Sequence, residues 1–139
     1  MRPNNIVARY LDGRTVKGTS LNVDPNKPAC HVRTSAGPVE VQLSDLKALF
    51  FVKDVVGDPT HDEGTAPTHG DPRLVGGKPI AVEFADGERI IGATNRYPPN
   101  RPFFFMVPVD PESNNIRILI NRDAATAIYE AVDGPAAGR

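Results

Sequence analysis

The feature that most limits what this chain can fold into is an internal repeat. Ile6 recurs as Ile80, Asp12-Gly13 as Asp86-Gly87, Gly18 as Gly92, and Pro25-Asn26-Lys27-Pro28 as Pro99-Asn100-Arg101-Pro102, all at one offset of 74 residues. Similar residues fill the gaps: Tyr10 with Phe84, Val16 with Ile90, Ser20 with Thr94. Further on the offset grows. Val39-Glu40-Val41-Gln42-Leu43 matches Ile116-Arg117-Ile118-Leu119-Ile120, Asp45 matches Asp123, and Phe50-Phe51 matches Ile128-Tyr129. The extra residues fall in the turn-rich segment 110–115, where insertions are tolerated. A repeat of this length in 139 residues calls for two small, similar units. We place them at 1–53 and 78–139, with 54–77 as a flexible acidic linker.

With 40% apolar and 24% charged residues, a packed core is within reach. A unit of roughly 50 residues has a marginal core on its own, so the two are expected to pack on each other or on further copies. The net charge of −1 hides an asymmetry. Residues 1–53 hold 8 basic and 4 acidic side chains, residues 54–74 hold 1 and 5, and residues 75–139 hold 7 and 8. The first unit is basic enough to meet an anion, but the whole chain is no generic polyanion binder. Cys30 is the lone cysteine, so no disulfide forms within the chain, which suits a reducing compartment. No apolar stretch suits a signal peptide, and none approaches the ~18 residues of a membrane span. A soluble cytoplasmic protein without a membrane partner is expected.

Ile6 to Leu11 is β-prone and ends at Asp12-Gly13, a hairpin turn signal. Val16 to Val23 carries Gly18, a residue type that marks a bend or a close backbone approach inside a strand. Asp24-Pro25-Asn26-Lys27-Pro28 breaks the sheet, because two prolines remove two donors. Ala29 to Thr34 resumes as a strand, and Val39 to Leu43 alternates apolar and polar residues as a half-buried strand does. Ser44-Asp45 is expected to cap a helical turn over Leu46-Lys47-Ala48, before a last strand at Leu49-Phe50-Phe51-Val52. The second unit repeats this at Ile80–Phe84, Arg89–Arg96, Phe103–Val107, Ile116–Ile120 and Ala127–Tyr129. Short strands with tight turns and no long helix indicate an all-β fold: two tandem five-stranded small barrels of the SH3 or Sm-like kind.

The run Ile6-Val7-Ala8-Arg9-Tyr10-Leu11-Asp12-Gly13, followed by Val16-Lys17-Gly18, resembles the opening of bacterial Hfq-type Sm-like proteins, and Val39 to Val52 resembles their closing strands. The resemblance implies an SH3-like barrel and, by analogy, RNA binding. That family begins with a helix, whereas only Met1 to Asn5 precede the first strand here. Its RNA-binding rim carries a Lys-His pair, where this chain has Gln42-Leu43-Ser44-Asp45 and Ile120-Asn121-Arg122-Asp123. The proline loops and the Asp45–Val52 run also look like an uncharacterised bacterial domain family.

Candidate sites follow from chemistry. Lys27 and Arg101 stand on corresponding proline-fixed turns, where paired cations grip phosphate or carboxylate with little ordering entropy. Arg9 and Arg33 add positive charge to the first unit and are expected to share a face, a nucleic-acid footprint if aromatics lie beside them. Phe50, Phe51, Ile128 and Tyr129 form the late strands, whose edges are candidates for self-association. The Phe103-Phe104-Phe105-Met106 run leaves phenylalanine on one face, to be covered by the same chain or by a partner. His61, Asp62, Glu63, His69 and Asp71 have loose spacing and no sulfur ligand near, so no metal site is expected. No nucleophile elbow, phosphate loop or zinc spacing appears. His31 and Cys30 stand where the second unit has Phe105 and Phe104, which suggests packing. We therefore expect no catalytic residue and no cofactor, but a binding or assembly module whose partner is a protein or a second copy. The alternatives are a nucleic-acid-binding regulator and a sensor of an anionic small molecule such as a nucleotide.

Overall fold

The computed structural model describes residues 3–57, 60, 61, 63, 64, 71–74, 76–95 and 97–131. It is all-β. The first half holds β1 (Asn4–Tyr10), β2 (Thr15–Ser20), β3 (Ala29–Thr34), β4 (Gly37–Gln42) and β5 (Leu46–Val52). The second holds β6 (Lys78–Phe84), β7 (Arg89–Thr94), β8 (Phe103–Pro108), β9 (Asn115–Asn121) and β10 (Ala125–Glu130). Single 3-10 turns at Leu43–Asp45, Pro72–Leu74 and Arg122–Ala124 complete the regular structure of the described residues. The helical turn thus sits three residues earlier than expected. Leu46 is already extended and fully buried, and a backbone that must pair along β5 cannot also close a helical turn there.

All ten strands join one open antiparallel sheet in the order β10-β6-β7-β8-β9-β5-β1-β2-β3-β4. Each half gives five neighbouring strands in the same internal order. Both halves use the same hairpin. Gly13 and Gly87 have φ of 94° and 91°, a region glycine enters without penalty, and their N–H groups donate to Tyr10 and Phe84 carbonyls at 3.1 and 2.9 Å. Gly18 is required for a different reason. A Cβ there would lie 2.1 Å from the Arg33 carbonyl oxygen, so β2 and β3 can approach only without a side chain.

Strand register corrects the correspondence of the late strands. Phe51 lies opposite Ile6 and Phe50 opposite Val7, while Glu130 lies opposite Ile80 and Tyr129 opposite Ala81. Phe50 therefore corresponds to Tyr129 and Phe51 to Glu130, an offset of 79 rather than 77 or 78. The β3–β4 and β8–β9 pairs agree, with Cys30 opposite Val41 and Phe104 opposite Ile120. Similar residue types at neighbouring positions misled the alignment. A shift of one residue turns a strand's side chains to the other face, so pairing fixes what similarity could not.

Two cores result. Ile6, Ala8, Tyr10, Cys30, Val32 and Val41 lie in the first, and Ile80, Val82, Phe84, Phe104, Met106 and Ile120 in the second. The strands between them serve both. Every residue of β5 is buried; Leu49 and Phe51 enter the first core, and Ala48, Phe50 and Val52 the second. Such a strand reads as a near-continuous apolar run because neither face meets water. Phe103 and Phe105 pack against the first core while Phe104 and Met106 fill the second, so the same chain covers the phenylalanine run.

Candidate functional site

Three places are candidates: the seam where β5 meets β9, the sheet edges β4 and β10, and the cleft between the proline loops.

The seam is an antiparallel pairing of Ala48 with Ile120, Leu49 with Leu119, Phe50 with Ile118 and Phe51 with Arg117. Above it the Arg117 guanidinium lies 4.2 Å from the Phe51 ring centroid and 4.5 Å from that of Phe105, and the two rings are 6.0 Å apart. Burial pulls the Arg117 pKa down. Lys47, almost wholly buried, reaches across the seam to the β6–β7 turn. Its ammonium donates to Asp86 at 2.7 Å and to Glu88, and lies 4.8 Å from the Phe84 ring centroid. Burial pulls its pKa down, but the bonds to Asp86 and Glu88 outweigh this and hold it above 10.5, and Lys47 in turn holds Asp86 below 3.8. The Asn121 amide donates to the Leu46 carbonyl at 2.8 Å, and Asn114 bonds Asp54 in both directions at 3.1 and 2.7 Å. Phe50 and Phe51, read from sequence as self-association residues, are thus consumed within the chain.

The free edges carry the counterparts of these residues, and the chemistry changes. By register, His31 stands for Phe105, Glu40 for Leu119, Pro38 for Arg117, Glu130 for Phe51, Tyr129 for Phe50 and Thr126 for Lys47. His31 is exposed rather than packed, which corrects its sequence reading. Phe105 is sheltered by Phe51 and Arg117, whereas the free edge gives His31 no such cover, and its ring meets Asn22 at 3.2 Å. Asp12 and Arg14, which stand for Asp86 and Glu88, bond each other at 2.8 Å. Tyr129 and Ile128 are half-buried on β10, with the Tyr129 hydroxyl bonded to Glu83. A cavity of about 360 Å³ opens beside β4, lined by His31, Arg33, Pro38, Asn22 and Ser20. Arg9 and Arg33 fall on the same face of the sheet by register, as expected, but well apart. Arg9 pairs with Thr15 and Arg33 with Thr19, four residues or about 13 Å apart along β2. Arg9 instead stacks 5.3 Å from the Phe50 ring centroid.

The cleft is formed by the two proline loops, which the seam brings side by side. Arg101 Nη1 donates to Asn26 Oδ1 at 3.1 Å. Two adjoining cavities of about 390 and 420 Å³ share Pro25, Asn26, Arg101 and Phe103 as lining, and Lys27 borders the second. Sequence reasoning found both cations. It missed Arg122, whose guanidinium holds the Pro99 carbonyl at 3.0 Å, because its counterpart by register is the buried Leu43.

His61, Glu63 and Asp110 bring one ligand atom each within 4.8 Å of one another. The His61 ring meets Asp110 Oδ2 at 2.7 Å, and the Gly64 N–H donates to the same oxygen at 2.8 Å. The Gly64 bond is the leading cause that keeps Asp110 below 3.8. This arrangement fastens the connector to the β8–β9 loop. Asp71 turns instead to Arg73, at 2.6 Å, and Asp62 and His69 lie outside the described residues. Cys30 is buried, which pushes its thiol pKa up. Among the described residues no helix is long and apolar enough to cross a membrane.

The sequence matches the family model described as a family of unknown function, DUF6982, over residues 2–131. The chain belongs to this family. No curated protein and no solved structure matches it. The match runs through both halves.

Proposed function

We propose that this chain is a non-catalytic assembly module: two fused Sm-like units that associate with further copies through β4 and β10. One observation carries the reading. The two edges that meet at the seam, β5 and β9, have their counterparts at the outer ends of the same sheet as β10 and β4. Five neighbouring strands in the same internal order in each half, with one core cluster centred on each, support the Sm-like assignment.

Carrying the seam register to a second copy sets Ala127 opposite its Val41, Ile128 opposite Glu40, Tyr129 opposite Val39 and Glu130 opposite Pro38. Where Phe51 meets Phe105 at the seam, Glu130 would meet the second copy's His31, at the mouth of the cavity that holds Arg33. Charge replaces apolar contact, and the joint is expected to be weak and salt-sensitive. Light scattering at rising concentration tests the reading. An average mass above 15.0 kDa that falls with added salt supports it, and a constant 15.0 kDa contradicts it.

A further inference from the structure

We infer that the cleft between the two proline loops binds a small molecule carrying a phosphate monoester. The site exists only because the halves are seamed. Each loop offers one cation, Lys27 or Arg101, and the β5–β9 pairing sets the two loops around shared walls. Neither cation forms an ion pair among the described residues. Arg101 spends one N–H on Asn26 and keeps the rest of its fork. The carboxylate nearest in the chain, Asp24, accepts the Asn26 N–H at 2.9 Å and so closes its own turn.

The loops are held before any ligand arrives. The Lys27 N–H donates to the Asp24 carbonyl at 3.0 Å, and the Pro28 and Pro102 carbonyls accept from the Leu43 and Arg122 N–H groups at 2.9 and 2.8 Å. With Pro25, Pro28, Pro99 and Pro102 fixing φ, little backbone entropy remains to be lost on binding. A doubly charged phosphate monoester matches this arrangement better than a carboxylate, because three oxygens can accept from an ammonium and a guanidinium together. Phe103, half-buried where the two cavities meet, with Pro25 and Pro99 beside it, gives an apolar wall for the rest of the molecule. Their volumes suit a small ligand.

The test is calorimetric titration of the full chain with inorganic phosphate, phenyl phosphate, benzoate and a single-stranded oligonucleotide lacking terminal phosphates. Phenyl phosphate should bind, more tightly than inorganic phosphate and benzoate. Lys27→Gln and Arg101→Gln should each weaken it about tenfold, the order of one charge-assisted hydrogen bond, and the double variant should lose it. Both side chains are exposed, so an unchanged thermal midpoint confirms that the variants fold. Binding undiminished in the double variant overturns the inference. So does binding of benzoate as tight as phenyl phosphate, or of the oligonucleotide alone.

Discussion

The seam and the free edges are the same two strand positions built with different chemistry. At the seam, phenylalanine, leucine and isoleucine fill both faces, a buried lysine clamps a turn of the other half, and Arg117 caps two rings. At the free edges the counterparts are His31, Glu40, Pro38, Glu130 and Thr126, and Asp12 satisfies Arg14 locally. Proline and charge are the usual protection of an exposed edge against indiscriminate pairing. On the proposed reading, one geometry serves as a permanent joint at the seam and as a reversible one at the edges, with side chains setting which. It also explains why each half needs the other: β5 has no water-facing side, and alone it would expose Ala48, Phe50 and Val52.

The largest effect should come from breaking the seam. Phe50→Ala should lower stability by about 3–5 kcal/mol in denaturant titration, as expected for a buried phenylalanine. The corresponding change at the edge, Tyr129→Ala, should cost about 1 kcal/mol in the monomer, since that ring is only half-buried. Equal losses would erase the distinction.

Lys47→Thr, which copies the edge residue Thr126, should come next. It removes the clamp and leaves Asp86 and Glu88, both partly solvent-exposed, without their cation. A loss of about 1 kcal/mol is expected. The depressed Asp86 pKa gives the pH sign. Its contribution is present above 3.8 and is lost as pH falls through the lower folded value. The raised Lys47 pKa adds a contribution present below 10.5 that is lost as pH rises through the folded value. The gap between wild type and Lys47→Thr should therefore shrink in strong acid and again in strong base, read by chemical denaturation across pH. A gap constant with pH would assign Lys47 a packing role.

Much of this was legible in the sequence. The offset of 74, the Asp-Gly turns and the all-β class were readable because turn chemistry is local. The seam was not. Phe50-Phe51-Val52 reads equally as an exposed edge or as a strand buried on both faces, and only its partner decides. The partner, β9, lies some seventy residues away. Glu130 as the counterpart of Phe51 was hidden for a related reason: Ile128-Tyr129 looked more like Phe50-Phe51 than Tyr129-Glu130 did. Lys27 and Arg101 were singled out because both loops keep their prolines, but that they line one cavity depends on the seam. The pairing of His61 with Asp110 crosses from connector to loop and left no spacing signal.

A smaller effect should follow from rebuilding the edge as a seam. Glu40→Leu with His31→Phe restores the residues of β9 and β8 on β4 and β3. Self-association should strengthen about tenfold in sedimentation equilibrium, with monomer stability changed by less than about 1 kcal/mol. Association no stronger than wild type would mean that this edge does not pair.

In the proposed assembly, β10 of one copy pairs with β4 of another in the seam register. Cross-linking of two single variants tests it most directly. Opposed residues bring their Cβ atoms about 4.5–5.5 Å apart, near disulfide reach. Tyr129→Cys mixed with Val39→Cys should form a covalent heterodimer under mild oxidation, and neither variant should do so alone. Tyr129→Cys with Glu40→Cys should not, because a one-residue shift turns the side chain to the other face. A heterodimer from the first mixture alone is the predicted result; equal cross-linking in both mixtures, or none in either, would contradict the account.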